Sequence, residues 1–330
     1  MPIPHDPLQR WWVETAGENP ELVEHLRPAL LAFLAFGPGR EPRLAGSGFI
    51  FAGNTEVALV ITAKHVLTEG VGRVQRPRAR HAASALFVSS NPPLTIDPKK
   101  LRVVWMGTHD AKIMNVGHVR YNDSLDAACC IVTGQDNEQT LFDPITVPLD
   151  TAVPELGELV HMISLDGMEV SEKAPPSDPL GTGHELEIGR RVSIRSGVVT
   201  GVYPAGLRHY HWPCFCTSIP ARPGMSGGFV FLPREGKTIS ACGVVCADNS
   251  TEEAQLSFLQ CGESIIGCTW PILGLHMPES IPSGAEKPMQ TLYQMMREGR
   301  VPGPIDGLEH IEVVEQNADH VVRLRPRLPV

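Results

Sequence analysis

From Ala45 to about residue 275 the chain is a succession of short apolar runs divided by glycine, proline and polar residues. Gly48–Phe51, Val57–Ile61, Leu101–Trp105 and Ala127–Val132 are such runs, and Leu159–Ile163, Arg191–Ile194, Gly197–Val202, Phe229–Phe231 and Cys242–Cys246 continue the pattern. Their lengths and β-branched content predict strands. No amphipathic helices alternate with them, so the expectation is an all-β sandwich or barrel rather than a parallel sheet. Ahead of this region, Leu22, Val23, Leu26, Leu30, Leu31 and Leu34 fall at helical spacing behind Asn19, a candidate N-cap, and Pro20 at the first helical position. This predicts an N-terminal helix ended by Gly37-Pro38-Gly39. Segments 71–97 and 164–189, rich in Arg, Pro, Ser and Gly, predict long surface insertions. Beyond Ser280 the pattern predicts a helix over Met289–Arg297 and a strand over Val321–Leu324.

Composition sharpens this picture. A chain of 330 residues accommodates two modest domains or one large β unit with extensions. Its 31 Gly and 30 Pro disfavour long helices and suit strands joined by turns. A formal net charge of -9 and a pI near 5.8 provide no basic footprint, so neither nucleic acid nor a membrane surface is an expected partner. Leu30–Phe36 is too short to span a bilayer, and the acidic and aromatic residues before it do not fit a secretory signal, which gives a soluble, cytoplasmic expectation. Of the eight cysteines, Cys129 and Cys130 are adjacent and Cys242 and Cys246 lie four apart, all in apolar runs. They read as reduced, buried thiols rather than a disulfide framework.

Chemistry concentrates in Arg222-Pro223-Gly224-Met225-Ser226-Gly227-Gly228, a serine in a glycine-rich turn. Such a turn presents a hydroxyl outward and leaves N–H groups free around it, as acyl transfer requires. The hydroxyl needs a base, and the base needs a carboxylate to fix its tautomer. His65 lies just after the run Val57–Ile61, in Thr62-Ala63-Lys64-His65, and Asp126 opens the run Ala127–Val132. Asp123 competes for the carboxylate role, but it sits in the polar turn Asn122-Asp123-Ser124, whereas the apolar strand begins directly after Asp126.

The order His65, Asp126, Ser226, each at a strand edge, resembles the trypsin-like (chymotrypsin-fold) serine peptidases. The stretch Thr217–Gly228 is similar to the nucleophile region of bacterial members such as the HtrA proteases, and the resemblance covers roughly residues 44 to 250. It implies two six-stranded antiparallel β-barrels, with His65 as general base, Asp126 orienting it, and Ser226 as nucleophile. The N–H groups of Gly224 and Ser226 would form the oxyanion hole. Pro220 and Ala221 would line the side-chain pocket, and the strand Val245, Cys246, Ala247 and Asp248 would pair with substrate backbone. Pro220 stands where relatives that cleave after Lys or Arg carry an acidic residue, so a small or medium apolar side chain is the expected preference.

The expected organisation is an N-terminal helical extension over 1–43, a peptidase domain over 44–275 with barrels at roughly 44–150 and 151–275, and a C-terminal extension over 276–330. No peptide-binding PDZ module follows. Met225 replaces the aspartate that in digestive-type members pairs with a freshly cut N-terminus, so that activation route is ruled out.

The expected function is a serine endopeptidase acting on protein or peptide, with no cofactor and no metal; a regulatory partner is left unidentified. The alternative is a silent or latent trypsin-fold sensor that binds peptide without cleaving it. A third reading, zinc held by His209, His211, Cys214 and Cys216, suffers from the one-residue gap between the cysteines. His161 reads as a hydrogen-bonded core residue, and Trp11-Trp12 as a packing anchor for the N-terminal helix.

Overall fold

The computed structural model describes residues 12–15, 20–36, 42–54, 56–68, 96–106, 111–121, 126–134, 145–166, 169–174, 185–189, 192–207, 210–234, 238–248, 263–277, 290–301, 303, 305–316 and 319–324. A short strand β1 (Trp12–Glu14) and helix α1 (Pro20–Leu26) precede the first barrel. That barrel is built from β2 (Leu30–Phe36), β3 (Pro42–Gly53), β4 (Val57–Ala63), β5 (Leu101–Met106), β6 (Ala111–Tyr121) and β7 (Ala127–Thr133), with helix α2 (Lys64–Thr68) directly after β4. It closes in the order β2-β3-β4-β7-β6-β5, every pairing antiparallel.

A two-residue strand β8 (Leu149–Asp150) leads to β9 (Leu159–Leu165), the hairpin β10 (Glu169–Ala174) and β11 (Glu185–Gly189), and then β12 (Val192–Tyr203). The second barrel is completed by β13 (Cys214–Thr217), β14 (Phe229–Phe231), β15 (Ala241–Asp248) and β16 (Ser264–Cys268). Its ring runs β14-β9-β12-β13-β16-β15 and closes through β14–β15. The fold is therefore the expected pair of six-stranded antiparallel barrels.

The C-terminal part is folded onto these barrels. It comprises β17 (His276–Met277), β18 (Gln290–Thr291), helix α3 (Leu292–Arg297), β19 (Ile305–Asp306), and the hairpin of β20 (Ile311–Gln316) with β21 (Asp319–Leu324). Thr291 caps α3 in a reciprocal capping box with Gln294. β19 pairs in parallel with β8, and β8 in turn pairs with β15. Among the described residues no helix is long and apolar enough to cross a membrane.

Several expectations are corrected. The N-terminal helix stops at Leu26; after one 3-10 turn, Leu30–Phe36 is β2, so the first barrel begins at residue 30 and not at 44. The reason is burial on both faces. Leu31, Phe33 and Ala35 fill the barrel interior, while Leu30, Ala32 and Leu34 belong to the second, larger core. A strand covered on both sides shows no alternation, and its leucines fell by chance at helical intervals. The two runs expected over 191–194 and 197–202 are not separate: Val192–Tyr203 is one strand, β12, and Arg191 lies outside the described residues. The segment 164–189, expected as a long surface insertion, carries the β10–β11 hairpin, whereas most of 71–97 lies outside the described residues.

The two barrels share the larger core. Phe49 of the first and Phe229 of the second stack with ring centroids 5.1 Å apart, and Met225, Cys129 and Ile61 belong to the same cluster. Any side chain at this seam is thus held from both sides.

All seven described cysteines carry free thiols and are buried. Burial pushes the thiols of Cys129 and Cys214 up to about 12, and those of Cys130, Cys242, Cys246 and Cys268 well above the ordinary thiol range. The thiolate is the reactive form, so these positions are expected to resist iodoacetamide at neutral pH in the native protein and to label fully once it is unfolded. Peptide mapping by mass spectrometry checks this; rapid native labelling of any of them would contradict the burial.

Candidate active site

Strand pairing brings the first two site residues together. β4 and β7 are neighbours with Ala63 opposite Ala127, so the residue that starts α2 and the one that precedes β7 meet at the same end of the barrel. The Lys64 N–H donates to the Asp126 carbonyl at 3.1 Å, and the His65 N–H donates to Asp126 Oδ1 at 3.1 Å. The other carboxylate oxygen, Oδ2, lies 2.9 Å from His65 Nδ1. Asp126 thus grips both the backbone and the ring of His65. An ionised carboxylate only accepts, so Nδ1 carries the proton in the neutral ring and Nε2 keeps its lone pair. The His65 side chain is 46% exposed and that of Asp126 15%, so the carboxylate is the more enclosed partner of the pair. The competing Asp123 lies outside the described residues.

Ser226 arrives from the second barrel on a turn fixed by glycine. Gly224 has φ +90° and Gly227 φ +87°, conformations that L side chains rarely adopt. Within the turn, the Met225 N–H donates to Arg222 O, Gly228 N–H to Met225 O, and Gly227 N–H to Val245 O. Among the described residues no such acceptor takes the N–H of Gly224 or Ser226. These two donors lie on either side of Met225, next to the half-exposed Ser226.

The turn is fastened to the first barrel by Ser47, a fully buried residue of β3. Its N–H donates to Ser226 O at 2.7 Å and its hydroxyl to Gly224 O at 2.8 Å, while the Leu165 N–H donates to that hydroxyl at 2.9 Å. Thr62 Oγ1 in turn donates to Ser47 O at 2.6 Å. Gly46 makes the close approach possible: a Cβ there would stand 2.4 Å from Val66 Cγ2 and 2.7 Å from Ser226 O. The residue after His65 and the backbone of Ser226 therefore both close on the space that a side chain at this one position would fill. Sequence reasoning missed Ser47; its only signal was the flanking pair in Gly46-Ser47-Gly48, which marks a strand that another backbone approaches closely.

Val245 is engaged on both main-chain groups, its N–H donating to Gly228 O and its carbonyl accepting from Gly227, each at 2.8 Å. It supports the Ser226 turn. Beyond it, β15 continues through Cys246, Ala247 and Asp248 with only β16 alongside, so one edge of this stretch carries no strand among the described residues. The buried Cys246 thiol donates to Val244 O and reaches the Asp126 carbonyl at 3.5 Å. Pro220 and Ala221 are half-buried and follow Ile219, which closes a small network with Thr217 and Ser264.

The remaining candidates resolve more simply. His161 Nδ1 lies 2.7 Å from Ser196 Oγ, as expected of a hydrogen-bonded histidine in the barrel, and burial lowers its pKa. Cys214 and Cys216 are buried in β13, and His209 lies outside the described residues. No three His, Cys, Asp or Glu side chains converge as metal ligands among the described residues. Trp12 belongs to β1 and lies over the guanidinium groups of Arg195 and Arg222. Trp11 lies outside the described residues.

The family described as trypsin-like peptidase domain matches residues 46–240, more than half of the chain. No curated protein matches it. A solved structure, the MamO protease domain from Magnetospirillum magneticum in its apo form, is 13% identical to this chain, with a TM-score of 0.40 over 74% of this chain and 93% of that one.

Proposed function

Because the chain belongs to the trypsin-like peptidase family, we propose that it is a serine endopeptidase acting through Ser226, His65 and Asp126. The observation that carries the proposal is the double grip of Asp126 on His65, at the end of the barrel to which Ser47 fastens the Ser226 turn. The reading assigns each group one task. His65 Nε2 takes the proton of Ser226 Oγ as the oxygen attacks a peptide carbonyl, and Asp126 holds the Nδ1–H and stabilises the imidazolium. The N–H groups of Gly224 and Ser226 receive the oxyanion, a contribution of about 3 kcal/mol per donor in comparable sites. His65 then protonates the leaving amine, and a water activated by the same imidazole hydrolyses the acyl-enzyme.

The substrate is proposed to be an extended peptide added to the open edge of β15 at Cys246–Asp248. Pro220 and Ala221 support a small or medium apolar side chain at the cleaved position, since neither supplies a charge to meet Lys or Arg.

The test is labelling with a fluorophosphonate probe, followed by cleavage profiling on a peptide library. Labelling confined to Ser226, with cleavage after small apolar residues, is the expected result. A folded protein that never labels would overturn the proposal and favour the silent sensor.

A further inference from the structure

With Met225 in place of an aspartate, something else must hold the nucleophile turn. Met225 is fully buried, and its sulfur faces a guanidinium. Arg195 of β12 is only 2% exposed and points all three nitrogens at partners. Nη1 donates to Met225 Sδ at 2.7 Å, Nη2 to the Asp166 carboxylate, and Nε to Glu14 Oε2 at 3.1 Å. The Arg222 N–H donates to the same sulfur at 3.2 Å. A thioether is a weak acceptor, so the strength of that bond does not explain burying a charge against it. The geometry does: two carboxylates fix the plane of the guanidinium, and its remaining edge props the residue before Ser226.

One of those carboxylates comes from the N-terminal segment. β1 adds to β12 with Trp12 opposite Gly197 and Glu14 opposite Arg195. Glu14 also accepts from Ser193 Oγ at 2.7 Å and from the Ile194 N–H at 3.0 Å. Trp12 covers the guanidinium groups of Arg195 and Arg222, 5.6 and 5.9 Å from its ring centroid, so β1 holds Arg195 through two residues, Trp12 and Glu14, and reaches Arg222 through Trp12.

We propose that Arg195 is a positioning residue that holds the Ser226 turn through Met225, and that strand β1, through Glu14 and Trp12, keeps Arg195 in place. The N-terminal segment thereby sets the geometry of the Gly224 and Ser226 donors without any cleavage of the chain. The catalytic consequence rests on the peptidase reading; the coupling of β1 to the turn does not.

Glu14→Gln and Met225→Leu test it, singly and together. Glu14→Gln leaves Arg195 paired with Asp166, and Met225→Leu keeps the volume while removing the sulfur. Hydrogen exchange at the Met225, Gly227 and Gly228 amides is expected to quicken about ten-fold or more in each, with the barrel strands unchanged. Fluorophosphonate acylation is expected to slow by a similar factor in its maximal rate, not in probe affinity, and the double variant is expected to be no worse than the poorer single one. Unchanged exchange at the turn in both single variants, or multiplying effects in the double, would overturn the proposal. Faster exchange in a protein that never labels would leave the positioning role standing and remove the peptidase reading instead.

Discussion

Replacing Ser226 with alanine is expected to abolish peptide cleavage while leaving the fold intact. In the proposed reading the nucleophile, base and carboxylate act as a unit, and loss of the nucleophile in such a unit costs on the order of six orders of magnitude in kcat. The hydroxyl contributes nothing visible to packing: Ser226 is half-exposed, and the turn is held by its carbonyl, which accepts from Ser47, not by its side chain. Stability should therefore change by less than about 0.5 kcal/mol. Turnover of the best library peptide, measured beside urea denaturation of both proteins, checks the two halves separately. Retained hydrolysis would remove Ser226 from its assigned role. A large loss of stability would instead mean that the turn depends on the hydroxyl.

The second large effect is expected at Gly227→Ala. A Cβ there would lie 2.0 Å from the Ser47 carbonyl oxygen and 2.3 Å from Thr62 Oγ1, on a backbone at φ +87°. Neither neighbour is a flexible side-chain end that can swing aside, because Thr62 Oγ1 is itself bonded to Ser47 O. The clash falls on the residue that fastens the nucleophile turn to the first barrel. A loss on the order of 3 kcal/mol is expected, from backbone strain and overpacking together, with activity lost as well. Gly299→Ala is the control: its φ is +70°, but nothing lies within 4 Å of the added carbon, so only the conformational strain is felt. Equal midpoints for the two variants in urea would show that the Ser47 contact does not pin Gly227.

How much of this was legible from the chain depends on the kind of signal. His65, Asp126 and the Ser226 turn were readable because each sits at the end of an apolar run, and the spacing of strands and turn residues is local. The strands of the barrel interiors were readable for the same reason, with instructive exceptions. The residues of β2 read as helix because the strand is buried on both faces and shows no alternation. β6 escaped because Lys112, Asn115, Gly117 and His118 interrupt its apolar residues, and β16 because Ser264–Cys268 is short and flanked by polar segments. Ser47 gave no signal beyond its two flanking glycines, and Glu14, Asp166 and Arg195 gave none, since each acts through partners far away in sequence; Ser193 Oγ and Glu14, for example, are 179 positions apart.

The sequence by itself determined that this is an all-β chain with a serine-containing glycine turn and an ordered His65, Asp126, Ser226 set, because apolar periodicity and turn chemistry act over a few residues. It also excluded an aspartate before Ser226, and with it the usual internal ion pair. Only the tertiary structure decided what stands in that place. Strand β12, the residue that follows β9 and the N-terminal strand β1 converge on Met225 through a buried guanidinium. Convergence of that kind depends on barrel closure and register, which are set by packing over the whole chain.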